Sequence, residues 1–127
     1  MNTPILSKRI ADFYAILFLP GNIRAIERIT KLTKKEIISS RRSQILSLAR
    51  KYGIRNVRLF GSVVRGEDNS DSDADFLIDL EPDRGLVDHA GFMVELEKLL
   101  GIKVDVVTEN GLKDSYRKRV LEEAVTI

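Results

Sequence analysis

Val57-Arg-Leu-Phe-Gly61-Ser62-Val-Val-Arg65-Gly66-Glu67-Asp-Asn-Ser-Asp-Ser-Asp73-Ala-Asp75-Phe-Leu-Ile78 carries more structural and chemical information than any other part of this chain. An apolar run precedes Gly61-Ser62 and another follows Asp75, so the stretch reads as strand, turn, spacer, strand. Side chains at i and i+2 of a strand share a face, which sets the carboxylates of Asp73 and Asp75 side by side. Like charges that close are costly unless a proton or a cation lies between them. Paired hard oxygen donors suit Mg²⁺, above all where substrate phosphates complete its shell. Gly61 lets the backbone approach a phosphate closely, and Ser62 offers an N–H and a hydroxyl. The plain structural alternative is a strand-to-helix turn with Ser62 as N-cap, followed by two polar residues at a strand entry.

Further along, Ile102-Lys-Val104-Asp105-Val106-Val107-Thr108 places an acid inside an apolar strand. A buried carboxylate there is expensive unless it is paired or metal-bound, whereas one at the strand end can simply face water. Arg65 can bind a phosphate or pair with Glu67 or another nearby acid. His89, the single histidine, reads as a packing or surface residue of a helix. Asp79 continues the alternation of Asp73 and Asp75 and reads as part of the rim.

The Gly-Ser, the ten-residue spacer, the Asp-x-Asp and the later strand aspartate together resemble the nucleotidyltransferase superfamily related to DNA polymerase beta. Within it they are most similar to the minimal nucleotidyltransferase (MNT) family. The resemblance spans residues 41–127, including Arg65-Gly66-Glu67 and Arg119-Val-Leu-Glu-Glu-Ala124. It implies catalytic, metal-binding roles for Asp73, Asp75 and Asp105, with two Mg²⁺ ions bridging the nucleotide phosphates. It implies nucleotide-binding roles for Gly61, Ser62 and Arg65, and ATP as substrate. Family members of this size typically serve as antitoxins. They neutralise a HEPN-domain ribonuclease toxin by adenylylating a tyrosine near its active site, so such a toxin is the implied partner. The rivals are an antibiotic nucleotidyltransferase, which usually needs a further helical domain for its acceptor; a silent toxin-binding module, which has no use for three clustered acids; and a DNA-binding regulator, which leaves those acids unexplained.

The fold expected is α/β (α+β), a small mixed sheet packed against helices. The pattern predicts a helix over 41–52 capped by Ser39 or Ser40, strands over 56–60, 73–80 and 103–108, a short helix over 62–65, a helix over 86–100 ending at Gly101, and a last helix over 112–124. The 127 residues suffice for one nucleotidyltransferase domain, 41–127, preceded by a basic, helical extension, 1–40. Pro20-Gly21-Asn22 breaks that extension, and Ile23, Ile26, Ile29 and Leu32 mark a short amphipathic helix after it.

Charge is unevenly spread. Residues 1–52 hold 11 Lys/Arg against 3 Asp/Glu, and residues 53–127 hold 10 against 16. A basic segment can touch nucleic acid or an acidic partner, but it carries no interleaved aromatics for base stacking, so nucleic acid is not the expected ligand. With no cysteine, disulfide frameworks and thiolate metal sites are excluded. The apolar run 13–19 is far short of the roughly 18 residues that span a bilayer, and no cleavage site follows it. The expected location is the cytoplasm.

Overall fold

The computed structural model describes residues 32–127, and those from Lys34 onward form one compact unit. The break at 20–22, the helix expected after it and the apolar run 13–19 lie outside the described residues. The elements in order are α1 (Lys34–Ser40), α2 (Arg42–Lys51), β1 (Ile54–Phe60), α3 (Ser62–Arg65), β2 (Ala74–Leu80), α4 (Leu86–Leu100), β3 (Val104–Thr108), a 3₁₀ turn (Glu109–Gly111), α5 (Asp114–Glu123) and β4 (Val125–Thr126). The four strands lie in the order β3-β2-β1-β4. β1 runs antiparallel to both β2 and β4, while β2 and β3 are parallel and joined through α4. A parallel pair needs such a crossover, and the 15 residues of α4 supply it. This is the small mixed sheet packed against helices that the sequence leads one to expect.

Alternation along the strands separates two cores. Ile54, Val57 and Leu59 of β1, Ala74, Phe76 and Ile78 of β2, and Val104 and Val106 of β3 share the larger one. Ile38 of α1, Ile45 and Ala49 of α2, and Phe92, Leu96 and Leu100 of α4 pack into the same core. The opposite face is narrower: Leu77 meets Leu112 and Val120 there, with Phe60, Val107 and Ala124 around them. On β2, then, Phe76 and Ile78 anchor one helical layer, while Asp75 and Leu77 point to the opposite face. Leu77 holds α5 on the second face, and Asp75, two residues earlier, shares that face.

Several local readings shift. β1 begins at Ile54 rather than at residue 56, because the pairing slips between Arg55 and Arg58 and Asn56 adopts φ 52°. That bulge restores the inward alternation of Ile54 with Val57. α2 starts at Arg42 behind an Arg41 cap with no side-chain hydrogen bond; Ser40 Oγ instead donates to the Ile37 carbonyl at 2.8 Å. The last helix starts at Asp114, since Glu109–Gly111 first form a 3₁₀ turn whose Gly111 N–H donates to Thr108 Oγ1. β4 has two residues, too few to leave a periodic signal. Among the described residues no helix is long and apolar enough to cross a membrane.

Candidate active site

β2 and β3 are in register so that Asp75 lies opposite Asp105, and on the other side Phe60 of β1 lies opposite Asp75. Directly opposed residues share a face of the sheet. Asp75 is therefore flanked by an aromatic ring on β1 and a second carboxylate on β3. Asp73 stands just ahead of β2, and both it and Asp105 are exposed, whereas Asp75 is partly buried. Burial pushes the Asp75 carboxyl up to about 6, and the charges of Asp105 and Asp73 add to the shift; Arg65 opposes it and Glu123 reinforces it. The raised proton affinity reflects first the burial of the carboxyl and then the neighbouring negative charges.

Gly61 ends β1 and opens α3. Its φ of 81° and ψ of −157° belong to backbone that side-chain-bearing residues rarely adopt. A Cβ built on Gly61 would overlap Asp75 Oδ2 and lie 3.1 Å from Asp75 Cγ. The turn is thus pressed against the carboxylate, and only glycine permits that approach. Ser62, partly exposed, is the first residue of α3.

Arg65 resolves the choice left open by the sequence toward ion pairing. Its Nε donates to Glu67 Oε2 at 2.9 Å and its Nη1 to Glu123 Oε1. Both carboxylates raise its basicity, Glu67 the more. Glu123, at the end of α5, was not singled out from the sequence, although it lies within the quoted run 119–124. Its Oε2 also accepts the Gly61 N–H at 2.8 Å. Burial would push the Glu123 carboxyl up, but the bonds from Arg65 and the Gly61 amide outweigh it and hold the group below the usual range.

The spacer between Ser62 and Asp73 is held from outside. Lys34 of α1 donates through Nζ to the carbonyls of Asn69 and Ser72, the latter the residue before Asp73. Within the loop, Asn69 N–H donates to Ser72 Oγ and Asp71 N–H to Asn69 Oδ1. No sequence signal pointed to Lys34. His89 takes its packing role: Nε2 lies 2.6 Å from the Val106 carbonyl and ties α4 to β3. Asp79 is occupied at the far end of the same face by Arg58 Nη2 and Asn56 Nδ2, both at 3.1 Å. A groove between α2 and α4, lined by Leu48, Lys51, Glu95 and Leu99 among others, contains none of these residues.

Among the described residues no three His, Cys, Asp or Glu side chains converge as a ready-made metal cage. The donor set nevertheless fits a hard divalent ion. It is all carboxylate oxygen, Asp75 and Asp105 oppose one another across β2 and β3, and Mg²⁺ commonly takes only one or two carboxylates and completes its shell with water and substrate phosphate.

Comparison with known proteins agrees with this geometry. Residues 41–127 match the model of the nucleotidyltransferase domain family. Protein adenylyltransferase MntA of Thermococcus cleftensis is 40% identical over 96 residues, spanning 76% of this chain and 97% of its own length. A relative from Methanocaldococcus jannaschii, named as a candidate protein adenylyltransferase, is 33% identical over 71% of this chain and 97% of its own. A solved structure described as that of a candidate minimal nucleotidyltransferase superposes with a TM-score of 0.68 at 43% identity, covering 77% of this chain and 99% of the other. Fold, family model and relatives agree, and the chain belongs to the minimal nucleotidyltransferase family.

Proposed function

We propose that this nucleotidyltransferase is a protein adenylyltransferase that moves AMP from ATP to a hydroxyl, a tyrosine of a HEPN-type ribonuclease toxin, and so acts as the toxin's cytoplasmic antitoxin. The observation that carries the reading is the register of Asp75 against Asp105 beside the Gly61 turn. The named activity of the relatives gives the acceptor class, and the family resemblance gives the toxin.

In this reading the acceptor oxygen attacks the α-phosphorus of ATP. The bond from that phosphorus to the α–β bridging oxygen breaks, and pyrophosphate leaves. Asp73, Asp75 and Asp105 would hold two Mg²⁺ ions, which when bound neutralise charge on the attacking and leaving oxygens. Asp105, exposed on β3, would help take the proton of the attacking hydroxyl. In this reading the Gly61-Ser62 turn would hold the triphosphate through Ser62, with Arg65 contributing positive charge from the end of α3. Positioning and charge neutralisation are most of what such chemistry asks of a protein. Asp73 and Asp105 are exposed, so a folded partner can present its hydroxyl to them directly.

The test is incubation with ATP, Mg²⁺ and the product of the neighbouring gene, followed by intact-mass measurement of that product. Whole AMP units are expected on it, mapped by fragmentation to tyrosine. Efficient transfer to an aminoglycoside, with the neighbour unmodified, would move the chain to the antibiotic-modifying class. Tight toxin binding without any transfer would make it a silent binding module.

A further inference from the structure

We propose that Glu123 is the positioning residue of the nucleotide site, fastening the end of α5 to the Gly-Ser turn so that the turn keeps its place against Asp75; the inference rests on the nucleotide-binding reading of that turn.

One carboxylate of Glu123 serves two donors. Its Oε2 accepts the Gly61 N–H at 2.8 Å and its Oε1 accepts Arg65 Nη1. The side chain is 14% exposed, and Gly61 is buried. Charge-assisted hydrogen bonds of this kind are about twice as strong as neutral ones. Losing the acceptor would strand a buried amide, which costs more than the bond itself contributes. The Gly61 peptide is thus gripped from two sides, with Asp75 against its Cα and Glu123 on its N–H.

Glu123 is itself held on both sides in the chain. Val120, one turn earlier, is buried with Leu77 and Leu112 in the smaller core. The Ala124 N–H closes back on the Val120 carbonyl at 2.9 Å. Val125 then pairs with Leu59 and Thr126 with Arg58. The same β1 strand that leads into Gly61 therefore carries, through β4, the residues that follow Glu123. A side chain anchored in this way sets the turn rather than swinging aside for a ligand. The opposite role, a carboxylate plug that nucleotide phosphate must displace, requires Glu123 to release both donors; Arg65 would keep Glu67, but the buried Gly61 N–H would lose its protein acceptor.

The experiment uses the full chain with Mg²⁺ and an ATP analogue blocked at the α–β bridge, measured by calorimetry, alongside AMP transfer and thermal melting. Glu123→Gln keeps the length and an acceptor oxygen for Gly61, and should retain binding within a few-fold of wild type. Glu123→Ala should weaken analogue binding at least about tenfold, since small misplacements at such sites cost that much or more. Glu123→Asp keeps the charge but is one methylene too short to reach both donors; it should fall between the two, and it decides the matter if Glu123→Ala does not fold. A purely structural role would lower the melting temperature and leave affinity unchanged, and that result overturns the proposal. Tighter binding in Glu123→Ala overturns it in favour of the plug. Failure of the wild-type protein to bind the analogue strikes the nucleotide-binding reading itself, a different outcome from wild-type binding that Glu123→Ala leaves intact.

Discussion

Replacing Asp75 by Asn should stabilise the metal-free protein while abolishing transfer. The carboxyl is raised from 3.8 to about 6 by burial and by Asp105 and Asp73. A shift of that size corresponds to about 3 kcal/mol at ~1.4 kcal/mol per unit. Because the group is only partly buried, solvent screening reduces this to about 1–2 kcal/mol. The sign follows from proton binding. Between 3.8 and 6 the folded protein holds a proton that the unfolded chain has released, so stability is full below 3.8 and falls as pH rises through 6. Asn carries no such term. The variant should therefore melt higher than wild type at pH 7.5 in EDTA, by roughly 5–10 °C for a domain of this size. The gap should shrink toward zero as the pH is lowered below 4. Equal melting temperatures at pH 7.5, or a gap independent of pH, would refute the picture of Asp75 as the focus of uncompensated charge. Saturating Mg²⁺ with ATP analogue should stabilise wild type and not the variant.

Gly61→Val forces a branched side chain into φ 81° and onto Asp75, and should reduce ATP-analogue affinity at least about tenfold by calorimetry; unchanged affinity would mean that the phosphates sit elsewhere. Ser62→Ala removes one hydroxyl and should act more mildly, within about tenfold. Deleting residues 1–31 should leave analogue binding intact, whereas deleting 1–39 also removes the buried Ile38 and the Lys34 bonds to Asn69 and Ser72. The longer deletion should lower stability by about 2–5 kcal/mol, the usual cost of a large buried aliphatic, read by urea denaturation; equal stability of the two truncations would show that α1 adds nothing to the core.

The sequence was most legible where backbone geometry and chemistry repeat each other. The apolar runs Phe76-Leu77-Ile78 and Val104 to Thr108 located both strands, and the Gly-Ser with its spacer located the turn between β1 and α3. The sequence put Asp105 on a later strand, but its register opposite Asp75 is a pairing between strands that only the structure gives. What stayed hidden depends on contacts between residues far apart in the chain. Glu123 is 62 residues from Gly61 and Lys34 is 38 from Ser72, and neither sits in a pattern that local periodicity can mark. Arg65 stood open between two roles because its partner Glu123 was not foreseen. The bulge at Arg55–Arg58 and the two-residue β4 are likewise set by pairing with other strands, not by their own composition.

AMP transfer itself is tested by supplying ATP labelled at either the α- or the γ-phosphate, with Mg²⁺ and the product of the neighbouring gene, to wild type and to the Asp73→Asn/Asp75→Asn variant. Label should reach that protein from α-labelled ATP only, should vanish with EDTA, and should be absent with the double variant. Label arriving from the γ-phosphate, or α-label transferred undiminished by the double variant, would contradict adenylyl transfer at the Asp73, Asp75 and Asp105 cluster.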